Sequence, residues 1–300
     1  MTTNLVLIRC TVSTPRVEEL VMQLLDHGME VIAVPDLMNI PAEQHQRILE
    51  TFSTETCPIT HDFVVNNGLT FWNDQRRTGW ACGDYVFYRA LCKNWDYAWI
   101  IEPDVYFLND AMSLLTEFSE SETDLITTNF WRASNQWYWR KPLEDALPGI
   151  DIHAMGFPLS RASRNLVEKS FAFRKHVVSV SNAGSRVPND ESILATSAFI
   201  NGFTTLDLKK EFPEIFSYWS TVLKYPIEDI RTRESEARIV HSGLEDEDFI
   251  RYISKLWISL KNGNKQDHSR FLEVINSCSA TAMKTIISSI SSHEFKESLK

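Results

Sequence analysis

An apolar run, Tyr97-Ala-Trp-Ile-Ile101, stops at Glu102-Pro103-Asp104, and a second apolar run, Val105-Tyr-Phe-Leu108, follows at once. The first run has the length of a short buried strand. Two carboxylates at the mouth of such a strand are costly to desolvate unless a cation meets them. A divalent metal carrying a phosphate is one such cation. A strand-end turn with two solvated acids is the plainer alternative, and the spacing is compatible with both.

The chain before this stretch sets its context. Asn4 to Cys10 is a β-rich apolar run. Pro15 opens a helical pattern in which Val17, Leu20, Val21, Leu24 and Leu25 recur at three- and four-residue spacing, and His27-Gly28 ends it. Glu30 to Pro35 is a second strand, closing at Asp36. Strand, helix and strand in this order predict a βαβ unit, hence a mostly parallel sheet with a right-handed crossover. Pro41 to Phe52 reads as a short amphipathic helix and Thr60 to Asn66 as a strand. Thr70 to Gly83 is an aromatic, cationic loop holding Arg76 and Arg77, of the kind that contacts ligands. Asp84 to Asn94 reads as a helix leading into the opening strand.

Further along, Ser113 to Phe118 reads as a helix, Asp124 to Thr128 as a strand, and Trp131 to Trp139 as a second aromatic loop. Ala162 to Phe173 reads as helix. Asn189 is a helix N-cap ahead of Asp190 and Glu191, and Asn201-Gly202 closes that helix. Phe203 to Leu208 is strand-like, and Ile239-Val240-His241-Ser242-Gly243 is a short apolar run ending in His and Gly. Beyond Leu244 the pattern is helical, with a loop at Lys261 to Asp267 and two more helices from Phe271.

Bulk properties narrow the function. A net charge of −10 argues against a surface built for non-specific nucleic-acid binding. The five cysteines are scattered without Cys-x-x-Cys spacing and read as reduced, buried thiols. Neither a Gly-x-x-x-x-Gly-Lys nor a Gly-x-Gly-x-x-Gly phosphate loop occurs. The N-terminus lacks a basic stretch followed by a long apolar core. No apolar run approaches the roughly 18 residues of a membrane span. The expectation is a soluble, cytoplasmic protein with at most peripheral contact at the inner membrane face.

Three features line up in order: Glu102-Pro103-Asp104 at a strand end, Asn189-Asp190-Glu191 at a helix start, and His241-Ser242-Gly243 at another strand end. In this order the chain resembles nucleotide-sugar glycosyltransferases of the GT-A fold, over roughly residues 4–245. Glu102-Pro-Asp104 stands where that family carries Asp-x-Asp, so it is a variant of the motif. The resemblance implies a GT-A-like α/β catalytic domain over residues 1–245 and a helical C-terminal extension over 246–300. It implies Mn²⁺ or Mg²⁺ on Asp104, Glu102 and His241, the imidazole favouring Mn²⁺. Asp190 or Glu191 would act on the acceptor hydroxyl as general base, or on the donor sugar in a retaining enzyme. Asp36, Asp84, Glu102, Arg76 and Arg77 would hold the donor, a nucleotide-diphosphate sugar with UDP favoured. A glycan or glycolipid acceptor in bacterial surface polysaccharide synthesis completes the expectation. Two other readings compete: a carbohydrate- or nucleotide-binding protein without turnover, and a metal-dependent nucleotidyltransferase or phosphodiesterase.

Overall fold

The strands that build the core are buried on both faces, which is why they read as continuous apolar runs rather than as alternating ones. A computed structural model describes residues 2–70, 81–181 and 186–297. In chain order the strands are β1 (Asn4–Cys10), β2 (Glu30–Pro35), β3 (Glu55–Thr56), β4 (Tyr97–Ile101), β5 (Val105–Leu108), β6 (Leu125–Thr127), β7 (Phe130–Arg132), β8 (His153–Met155), β9 (Leu159–Ser163), β10 (Thr205–Asp207), β11 (Tyr225–Pro226), β12 (Arg238–His241) and β13 (Gly243–Leu244). The chain divides into two compact units, residues 1–103 with 113–212, and residues 104–112 with 213–300.

The first unit holds a seven-stranded sheet in the order β10-β6-β9-β4-β1-β2-β3. β1 pairs in parallel with β2 and β4, β2 with β3, and β6 with β10. Only β9 runs against its neighbours β4 and β6. This is the mixed, mostly parallel α/β sheet with flanking helices that the βαβ opening predicts. Thr14 caps the first helix, Pro15–Asp26, which buries Val17, Leu20, Val21 and Leu24, and Gly28 follows it at φ +73°. The core runs from Leu5, Leu7, Ile32 and Val34 through Tyr85, Phe87 and Trp95 to Leu166 and Leu194. Burying an aliphatic or aromatic side chain of this kind contributes about 1.5–3 kcal/mol.

In the second unit β5 pairs antiparallel with β12, with Val105 opposite His241 and Leu108 opposite Arg238, and β11 pairs with β13. Helices Ile227–Arg233, Asp246–Lys261, Lys265–Ser277 and Ala280–Glu297 complete it. Phe249, Ile253, Leu256, Val274 and Ile286 form the apolar core of the last three, while Ile227 and Ile230 pack with Tyr106, Leu108, Tyr225 and Val240.

Several segments differ from the sequence reading. His61–Asn66 is a helix and not a strand, because the Thr60 hydroxyl accepts from the Phe63 N–H and caps it. The helix expected from Ala162 starts at Arg164, and Ala162 lies inside β9. Ser163 caps that helix by accepting from Leu166 N–H, which fixes the boundary. The helix after Asp84 is short, Tyr85–Ala90, and Trp131 belongs to β7 rather than to a loop. The last helices begin at Lys265 and Ala280, the first of them earlier than the periodicity from Phe271 places it. Asp104 to Met112 belongs to the second compact unit because β5 pairs with β12, while β4 stays in the seven-stranded sheet.

Candidate functional site

Parallel α/β sheets present their ligand-binding loops at the carboxyl ends of the strands. In the first unit three such ends carry charge. Ile8 lies opposite Ile101 in the β1–β4 ladder, so Arg9 and Glu102 are the next residues on neighbouring strands. Arg9 Nη1 meets Glu102 Oε1 at 2.5 Å and Asp190 Oδ2 at 3.6 Å. Asp36 leaves β2 beside them, its N–H donating to the Cys10 carbonyl at 2.8 Å and its Oδ1 accepting from Met38 N–H at 3.0 Å.

Asp190 and Glu191 open the helix Asp190–Ile200, where Asn189 Oδ1 caps Ser192 N–H at 3.1 Å. Asp190 Oδ2 accepts from the Gly83 N–H at 2.9 Å. A Cβ at Gly83 would overlap Asp190 Oδ2, Arg9 Nη1 and the Phe157 ring, so only glycine lets the backbone approach this closely. Burial pushes the Asp190 carboxyl well above its usual range, opposed by Arg9 and reinforced by Glu191, Asp84 and Glu102. Burial likewise pushes Glu191 up to about 7, against the Asn189 amide that donates to its Oε2. Asp36 is raised too, by burial, with Met38 N–H and Arg9 pulling it back. Four acids around one guanidinium leave an excess of carboxylate, which protons or a cation must balance.

Asp84, expected to face the donor, is fully buried and committed elsewhere. Arg174 donates from Nε to its Oδ2 at 2.8 Å and from Nη2 to its Oδ1 at 2.7 Å, and from Nη1 to the Pro188 carbonyl at 2.6 Å. Arg76 and Arg77 lie outside the described residues. Arg161 is a buried residue of β9 that donates to Asn4 Oδ1 and to the carbonyls of Ser121 and Thr123. Burial lowers its pKa to about 10.

In the second unit Asp104 directly precedes β5, and His241 ends β12. Their facing atoms, Asp104 Oδ1 and His241 Nε2, are 3.7 Å apart. Trp219 stacks on the imidazole with ring centroids 4.7 Å apart, and its backbone bridges to His241. His241 is buried, and its Nδ1 meets no hydrogen-bond partner among the described residues. The Ser242 N–H donates to the Asp104 carbonyl at 3.0 Å, and Ser242 itself adopts φ +66°. Lys224 Nζ donates to Ser242 Oγ at 3.0 Å and stands 3.9 Å from Asp104 Oδ2.

Sequence reasoning missed Arg9, Gly83, Lys224 and Trp219. Arg9 alone left a usable signal, a charge at the end of an otherwise apolar strand. The others depend on contacts between residues distant in the chain.

No protein-family model matches this chain, and no curated protein does. Solved structures align with it loosely. The inositol-1-phosphate CTP transferase from T. maritima has a TM-score of 0.38 and 11% identity, covering 69% of this chain and 84% of its own. A putative glucose-1-phosphate thymidylyltransferase from Bacillus anthracis, in complex with a sucrose, gives 0.37 and 9%, covering 69% and 87%. A glycosyltransferase involved in glycosylation of the major capsid of PBCV-1 gives 0.36 and 13%, covering 80% and 92%. Likenesses this distant do not assign an activity.

Proposed function

We propose that this chain is a metal-dependent glycosyltransferase that moves a sugar from a nucleotide-diphosphate donor, UDP-linked by preference, to a glycan or glycolipid acceptor. The observation that carries the reading is the Asp104–His241 pair. A carboxylate oxygen 3.7 Å from an imidazole nitrogen is too far for a hydrogen bond and near enough for both to ligate one ion. An ion between them would take the Nε2 lone pair of His241 and a carboxylate oxygen of Asp104. Carboxylate plus neutral imidazole suits Mn²⁺ first and Mg²⁺ second. Glu102, one proline earlier in the chain, is the third donor we assign. Bound there, the metal would supply Lewis-acid stabilisation of the leaving diphosphate.

The remaining steps belong to the protein. Lys224 offers an ammonium to a diphosphate oxygen. Glu191, with a pKa near 7, is suited to take a proton from the acceptor hydroxyl. Asp190, locked by Gly83 N–H and Arg9, orients the start of that helix. Asp36 is the residue we assign to the donor's nucleoside end, and surface polysaccharide synthesis the setting.

The test is a thermal-shift panel of nucleotide sugars with and without Mn²⁺, followed by product analysis for the stabilising donor. Stabilisation by a nucleotide sugar only with metal, with sugar transfer or slow donor hydrolysis, is the expected result. Donor binding with neither reaction would make the chain a binding protein. Release of pyrophosphate from a nucleoside triphosphate would make it a nucleotidyltransferase.

A further inference from the structure

Outside this site two free thiols, Cys57 and Cys92, lie close together. Cys57 follows β3 at the sheet edge, is buried, and its N–H donates to the Ala33 carbonyl at 2.9 Å. Cys92 lies just past the helix Tyr85–Ala90 and is exposed, which corrects the expectation that all the thiols are buried. The two Sγ atoms are 3.6 Å apart. Arg89 Nη1 donates to Cys92 Sγ at 3.3 Å, while Cys57 Sγ donates to the Arg89 carbonyl at 3.6 Å.

We propose that Cys57 and Cys92 are a peroxide-oxidisable pair in which Cys92 reacts first and Cys57 closes the disulfide. A thiolate is the nucleophile in such chemistry, and Cys92, exposed and hydrogen-bonded by Arg89, is the sulfur a peroxide can reach. Cys57, whose thiol burial pushes up to about 11, keeps its proton until it is needed. The Cys92 thiolate attacks the terminal oxygen of a hydroperoxide. The O–O bond breaks, the alcohol or water leaves with a proton, and Cys92 becomes a sulfenic acid. Cys57 Sγ then attacks the Cys92 sulfur, the S–O bond breaks, and water departs with the Cys57 proton. Two thiols lose two electrons to one peroxide bond. The sulfurs need to close by about 1.5 Å from their 3.6 Å separation to reach disulfide length. The bond would enclose the segment that carries Gly83 and Asp84.

The inference is independent of the sugar-transfer reading. Reduced protein is treated with stoichiometric hydrogen peroxide, alkylated in denaturant and mapped by peptide mass. We expect loss of two alkylatable thiols, a Cys57–Cys92 linked peptide, and full reversal by dithiothreitol. Cys57→Ser should stop at a dimedone-trapped sulfenic acid on Cys92, and Cys92→Ser should leave Cys57 alkylatable. Full alkylation of Cys57 and Cys92 in the oxidised wild type, linkage to Cys10, Cys82 or Cys278, or no dimedone adduct in Cys57→Ser would each overturn it.

Discussion

His241 Nε2 stands 3.7 Å from Asp104 Oδ1, where the β5–β12 ladder ends. Val105 and His241 are the last paired residues, and Asp104 lies just beyond them, its carbonyl accepting from the Ser242 N–H. The pairing delivers both side chains to one end of the ladder.

Asp104→Ala should therefore remove metal-dependent transfer, by roughly 100-fold or more, the scale of losing one electrostatic group in a reaction centre. Its side chain is 40% exposed, so the fold should survive. His241→Gln should demand a higher Mn²⁺ concentration and lower the rate. A Mn²⁺ titration of donor turnover, with circular dichroism as a folding check, decides both. Near-normal turnover in Asp104→Ala would remove the central assignment.

Glu191 as the proposed general base would link the rate to pH. A general base acts when ionised, so donor transfer should rise with pH through about 7, where burial places the Glu191 carboxyl. Glu191→Gln should abolish that limb along with most of the rate. The stability sign is opposite. Because folding raises this pKa from 4.5, the contribution of the neutral carboxyl is fully present below pH 4.5 and lost as pH rises through about 7. A pH-rate profile set beside urea melts across the same range separates the two effects.

Gly83→Ala should destabilise by about 1–3 kcal/mol, the range for forcing an extra methyl into packed surroundings. The new Cβ would overlap Asp190 Oδ2, Arg9 Nη1 and the Phe157 ring, so transfer should fall as well. Equilibrium denaturation and a transfer assay read both. Wild-type stability would mean that the backbone yields there.

Asp84 and Arg174 form a fully buried, two-pronged ion pair. Arg174→Met should cost about 3–5 kcal/mol because it strands a buried carboxylate. Combining it with Asp84→Leu should recover most of the loss. Additive losses in a double-mutant cycle would mean that Asp84 does not depend on Arg174.

Local rules read much of the chain correctly. Pro15 and Gly28 bound the first helix, and Asn189 caps the helix that carries Asp190. The apolar runs at Asn4–Cys10, Glu30–Pro35 and Tyr97–Ile101 are strands of one sheet. These signals depend on a few neighbouring residues. They fail where a single hydroxyl decides, as at Thr60, whose cap turns the β-rich His61–Asn66 stretch into helix.

The sequence by itself determined the mixed α/β class, the strand-end position of Glu102 and Asp104, and the helix start at Asp190, because periodicity, turn residues and caps act over short range. Tertiary structure alone decided which partner each charge meets. It committed Asp84 to Arg174 and set Arg9 against Glu102 and Asp190. It also brought Trp219 and Asp104 to His241. The reason is physical. A buried charge must find a counter-charge or a hydrogen bond wherever the folded chain supplies one, and the sequence distance to that partner carries no information about it.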